Sequence, residues 1–107
     1  MIFFRAQHKG ILFAKMMRMR SELEDGTKAQ GVCCTLSASG LEGGARFGGS
    51  LPALADDDEI VVFRGRKIEQ IYDGYIAKPI EEIARFSVKR WLEMLDSGEA
   101  YNYEEWA

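Results

Sequence analysis

Apolar and polar positions divide this chain into a β-like start, a helix-like stretch, a glycine-rich middle and a strand-rich second half. Residues 1–6 (MIFFRA) are a short apolar run of β-favouring side chains and predict a first strand. Over residues 11–24, Leu12, Met16, Met19 and Leu23 recur at helical spacing. The Met, Leu, Ala, Lys and Arg content also favours a helix, ended by Asp25-Gly26. Residues 32–36 form a β-like run that contains Thr35. Ser37 or Ser39 then caps a helix over 41–47 that Gly43 and Gly44 weaken, and Gly48, Gly49, Ser50 and Pro52 read as loop.

In the second half, residues 59–64 centre a strand on Val61, Val62 and Phe63, and residues 67–71 supply its partner. Asp73-Gly74 signals a hairpin, residues 75–78 continue as strand, Pro79 marks an edge or a break, and residues 83–86 form the last strand. Ser87 caps the clearest helix, in which Val88, Trp91, Leu92 and Leu95 fall on one stripe and Gly98 lies just past the end. The tail brings Tyr101, Tyr103 and Trp106, rings expected to pack on the body. Together these elements predict an α+β fold: a mostly antiparallel sheet of about five or six strands with two or three helices, in one domain.

Composition works mainly by exclusion. No glycine pattern of a dinucleotide turn or a phosphate loop occurs, and the single histidine, His8, gives neither a zinc set nor a catalytic triad. Cys33 and Cys34 are adjacent, so a disulfide between them would be strained. They read as small hydrophobes in a reducing cytosol. No run of about 18 apolar residues exists, and MIFFRAQHKG places its apolar stretch before its charges, the reverse of a secretory signal. No membrane association and a cytoplasmic location are therefore expected.

Net charge is −3, but it is unevenly spread. Residues 1–53 carry seven Lys/Arg against four Asp/Glu, and residues 54–107 carry seven against thirteen. Such asymmetry marks a protein-binding surface, a homodimer pairing basic half with acidic half, or merely two solvated faces. The basic positions Lys9, Lys15, Arg18 and Arg20 suit an acidic partner. Asp56, Asp57, Asp58 and Glu59 read as a solvated loop before a strand. The interleaving of basic and aromatic residues that binds RNA is absent, so a nucleic-acid partner is not expected.

Three short motifs carry the one family likeness. Phe4-Arg5 lies on the first strand, Cys34-Thr35-Leu36-Ser37 ends a middle strand, and Glu82-Ile83 opens the last one. In this order they resemble the mono-ADP-ribosyltransferases. The resemblance implies NAD as cofactor. It makes Arg5 a holder of the pyrophosphate and Thr35 and Ser37 supports of the site, and it makes Glu82 the carboxylate that stabilises the reacting ribose. Some small members place an Asp in the closing region instead, a role that falls to Asp73. Tyr72 or Tyr75 would stack on the nicotinamide. Cys34 stands where a Ser is usual and Ala6 where a Gly is usual. The chemistry is sound: Arg forks onto phosphate oxygens, and a carboxylate offsets an oxocarbenium-like charge. The same residues also have plain structural readings: Arg5 on an exposed edge strand, Thr35 and Ser37 as a turn and helix cap, Glu81-Glu82 as a solvated turn.

Two functions follow. One is a small non-catalytic binding or inhibitor module, of the kind carried by phages and mobile elements, acting through protein contacts and needing no cofactor. The other is an NAD-dependent ADP-ribosyltransferase, or a degenerate relative, acting on a macromolecule.

Overall fold

Two long strands dominate the molecule because the apolar runs flanking Asp73-Gly74 pair with each other along their full length. In the computed structural model, which describes residues 1–41, 54–71 and 74–106, the elements begin with β1 (Ile2–Gln7), the short helix α1 (Phe13–Met16), β2 (Arg20–Glu22), β3 (Lys28–Gln30) and β4 (Val32–Cys34). A 3-10 turn (Ala38–Leu41), β5 (Glu59–Ile71), β6 (Gly74–Ser87), α2 (Val88–Ser97) and a second 3-10 segment (Glu99–Glu105) follow. The fold is α+β, as expected, with an antiparallel four-stranded sheet in the order β1-β5-β6-β4 and a separate β2-β3 ribbon.

The long hairpin is bent by three register shifts, between Val62 and Phe63, Arg64 and Gly65, and Lys67 and Glu69. The first two leave Ile83 and Ile80 as extra residues on β6, and the third leaves Ile68 extra on β5. Bulges of this kind bend a strand and sharpen its twist. The bend also needs Gly65, where an added Cβ would sit 2.9 Å from the Lys78 carbonyl oxygen and 3.1 Å from the Phe63 ring. β1 pairs with the first half of β5, and β4 pairs with the first half of β6. The curl then brings the two outer strands together: Phe4 and Thr35 exchange backbone hydrogen bonds of 2.8 and 2.9 Å. Beyond Ala77, no described strand pairs with the outer edge of β6.

Closure creates two cores. The inside of the curl takes Phe3, Val32, Cys34, Val61, Phe63 and Ala77 from all four strands, plugged by Met16 of α1. The outer face, carrying Ile2, Phe4, Ala6, Ile60 and Val62, is covered by Trp91, Met94 and Leu95 of α2. Both faces of β1 are therefore covered, and all six of its residues are buried.

Several sequence expectations need correction. The helix expected over residues 11–24 shrinks to α1, and its second half holds β2, which pairs with β3 beyond it. Asp25 accepts hydrogen bonds from the Thr27 backbone N–H and hydroxyl while Gly26 adopts a φ of +85°, so Asp25-Gly26 makes a hairpin turn and not a helix end. Residues 59–64 and 67–71 are one strand, as are 75–78 and 83–86. Gly65 and Pro79 punctuate these strands as bend and bulge and do not end them. α2 forms as expected: the Ser87 hydroxyl accepts from the Arg90 N–H at 3.0 Å, and Gly98 closes the helix in the left-handed region. Its buried stripe uses Met94 in place of Leu92, which is exposed. Tyr103 packs on Phe86 and Trp91, whereas Tyr101 and Trp106 stay exposed. The helix expected over 41–47 falls, after Leu41, outside the described residues.

Candidate functional site

A loop of backbone on one side and a row of charged side chains on the other define a cleft. It is open to solvent, has a volume of about 380 Å³, and is lined by Ile11, Leu12 and Phe13 facing Glu59, Glu82 and Arg85. The charged row comes from adjacent strands. Glu59 begins β5, and Glu82 and Arg85 lie on β6. In a regular strand, residues three apart point to opposite faces. The extra residue at Ile83 restores the phase, so Glu82 and Arg85 emerge together.

Arg85 sits between two carboxylates. Its Nε and Nη2 donate to Glu82 Oε1 at 3.0 and 2.6 Å, and its Nη1 donates to Glu59 Oε2 at 3.1 Å. Burial works against the guanidinium charge. The bonds to Glu82 and Glu59 outweigh it and hold Arg85 above its ordinary value.

The opposite wall is clamped through its backbone. The Lys9 N–H donates to Asp58 Oδ1 at 3.0 Å, the Gly10 N–H donates to Glu59 Oε1 at 2.8 Å, and the Ile11 carbonyl accepts from Arg85 Nη1 at 2.8 Å. Three consecutive residues are thus fixed by three charged side chains. Asp58 was expected in a solvated loop, but its side chain is buried. It also accepts from the Ala55 N–H at 2.8 Å and faces His8 Nδ1 at 3.5 Å. Those bonds, with Ala55 the largest influence, pull its carboxyl below the usual range. A depressed carboxyl stabilises the fold above the unfolded value of about 3.9, and that contribution disappears as pH falls through the native value. We therefore expect the stability gap between wild type and Asp58→Asn, read by urea unfolding, to be widest at neutral pH and to narrow below about pH 4. A gap independent of pH would contradict this role.

The residues singled out by the ADP-ribosyltransferase resemblance fall in different places. Glu82 lines the cleft. Arg5, expected on an exposed edge, is buried inside the curl with 6 % of its surface accessible. Its Nε donates to Gln7 Oε1 at 3.0 Å and its Nη1 donates to the Cys33 carbonyl at 2.8 Å. No described carboxylate bonds it, and burial lowers its pKa, with the neighbouring Cys33 and Cys34 acting in the opposite sense. Cys34 is itself buried, which pushes its thiol far above the ordinary range, and Cys33 and Cys34 are both free.

Tyr75 pairs with Cys34 and packs edge-on against Phe3, on the same inner side as Arg5. Thr35 pairs with Phe4, so its side chain lies on the outer face, against Gly40. The Ser37 N–H donates to Thr35 Oγ1 at 3.3 Å, and its hydroxyl meets Ser39, consistent with a turn. Arg5, Thr35, Ser37 and Tyr75 do not line the cleft that holds Glu82. Asp73 and Tyr72 lie outside the described residues.

Sequence reasoning missed Glu59, Arg85 and the wall at Ile11 to Phe13. Glu59 carried a usable signal, since it stands two residues before Val61 and shares its face. Arg85 carried none, because only the bulge turns it toward Glu82. No family model, curated protein or solved structure matches the chain. Among the described residues no helix is long and apolar enough to cross a membrane, and no cluster of metal-binding side chains occurs.

Proposed function

We propose that this protein is a non-catalytic binding module that acts in the cytoplasm by docking a protein partner at the cleft beside Ile11, Leu12 and Phe13. The observation that carries the reading is Leu12, which is 74 % exposed at the cleft although its loop is held rigidly on one side by Asp58, Glu59 and Arg85. Burying a leucine side chain gains about 1.5–3 kcal/mol. The clamp serves the fold by seating Ile11, Phe13 and Met16 on the inner core, but Leu12 between them contributes nothing to that core and is free for a partner to cover. Glu82, the one candidate acid in the cleft, is already occupied by Arg85, which argues for a structural charge and against a free catalytic one.

Affinity capture from extracts of the source cell tests this reading. A single partner should be retained in stoichiometric amount by the wild type and lost by Leu12→Asp, with the melting temperature unchanged. Equal retention by the variant would overturn it.

The second reading, NAD-dependent ADP-ribose transfer, draws support from Glu82 lining the same cleft. Labelled NAD tests it directly: no transfer and no NAD-induced thermal shift would exclude it, whereas transfer that Glu82→Gln and Asp73→Asn each leave intact would exclude those two acids as its catalytic carboxylate.

A further inference from the structure

The charges of the cleft do not balance. Glu59 uses both carboxylate oxygens, one for the Gly10 N–H and the other for Arg85. Glu82 uses only Oε1, which takes both of its bonds from Arg85. No described group bonds its Oε2. Two carboxylates therefore share one guanidinium. The neighbouring cations Lys9 and Arg64 are engaged by Asp57 and Glu81, so neither is matched to Glu82. Directly across lie the apolar side chains of Ile11, Leu12 and Phe13.

We infer that the cleft recognises a segment of a protein partner in which a large apolar side chain stands next to an arginine or lysine, the cation meeting Glu82 Oε2 and the apolar group lying on Leu12. This rests on the reading of the protein as a binding module and names the chemistry of its partner. Size and charge agree with it. About 380 Å³ holds one or two large side chains but not a folded element. An anionic segment would place its charge against Glu82 and Glu59, and a purely apolar one would cover Glu82 without a partner for its free oxygen, which costs binding energy. The opening to solvent suits an extended segment better than an enclosed metabolite.

Panning a phage-displayed random peptide library on the intact protein tests the inference. Enriched peptides should carry an apolar residue adjacent to Arg or Lys. A synthetic copy should bind about tenfold more weakly to Glu82→Gln, which keeps an oxygen for Arg85 but removes the charge, and should also weaken between about 50 and about 500 mM salt. Enrichment of peptides without a cation, affinity indifferent to Glu82→Gln, or no enrichment at all would each overturn it. The two readings separate cleanly. A cellular partner lost by Leu12→Asp but retained by Glu82→Gln leaves the binding module standing and removes the cationic requirement, whereas no partner for any variant removes the module itself.

Discussion

Trp91→Ala is expected to cost about 3–5 kcal/mol, the usual range for truncating a fully buried aromatic. Trp91 is 1 % exposed and forms the hub of the outer core, with ring centroids of Phe4, Phe86 and Tyr103 at 5.7, 5.8 and 6.5 Å. It joins α2 to β1, β6 and the tail at once, so its loss leaves a cavity bounded by three separate elements. At about 4–8 °C per kcal/mol for a domain of this size, the melting temperature should fall by at least about 12 °C. Trp91→Phe provides the control. The indole Nε1 is buried with no hydrogen-bond partner among the described residues, so phenylalanine removes a donor they leave unsatisfied while keeping most of the ring. It should cost clearly less than alanine. Equal losses for the two variants would contradict ring packing as the source of the effect.

The second large effect has the opposite sign. Arg5→Met is expected to raise stability by about 1–3 kcal/mol. An arginine cannot shed its charge in a protein, and a buried ion without a counter-charge costs several kcal/mol after relaxation. Arg5 is buried inside the curl, and among the described residues only Gln7 Oε1 and the Cys33 carbonyl accept from it. Methionine of similar length would lie on the inner face of the sheet near Cys34, and the two orphaned acceptors would offset part of the gain. Urea unfolding reads the outcome. A fall in the unfolding midpoint would show that the guanidinium is compensated and would remove the argument. A stabilised variant that loses NAD-dependent labelling would instead revive the transferase reading, because a residue that costs stability is then kept for its chemistry.

What the sequence disclosed follows from how local each signal is. α2 was legible because its stripe, its Ser87 cap and its Gly98 stop all lie within twelve consecutive positions. The long hairpin was legible as strand content but not as two continuous strands. Gly65 and Pro79 are ordinary terminators in sequence, and only pairing across the hairpin turns them into bulge positions. The stretch after Gly10 misled because methionine and leucine favour helices, while tertiary contacts bury Met16 alone and leave Leu12 outside. Arg5 was read as exposed because the burial of β1 on both sides depends on the Phe4–Thr35 closure, a contact between residues 31 positions apart. In the cleft, Glu82 was visible as an acid before an apolar run. Its tie to Arg85 required the bulge at Ile83, which no local pattern announces.

The same bulges bear on a different property. Closing the curl at Phe4 and Thr35 hides two strand edges and leaves the outer edge of β6 beyond Ala77 without a partner among the described strands. An exposed, regular edge of this length is a template on which identical chains add strand by strand. Pro79 removes one donor from that edge, and the extra residues at Ile80 and Ile83 break its even spacing. The irregularities that turn Glu82 and Arg85 into the cleft thus also deprive that edge of the even spacing that strand-by-strand addition needs.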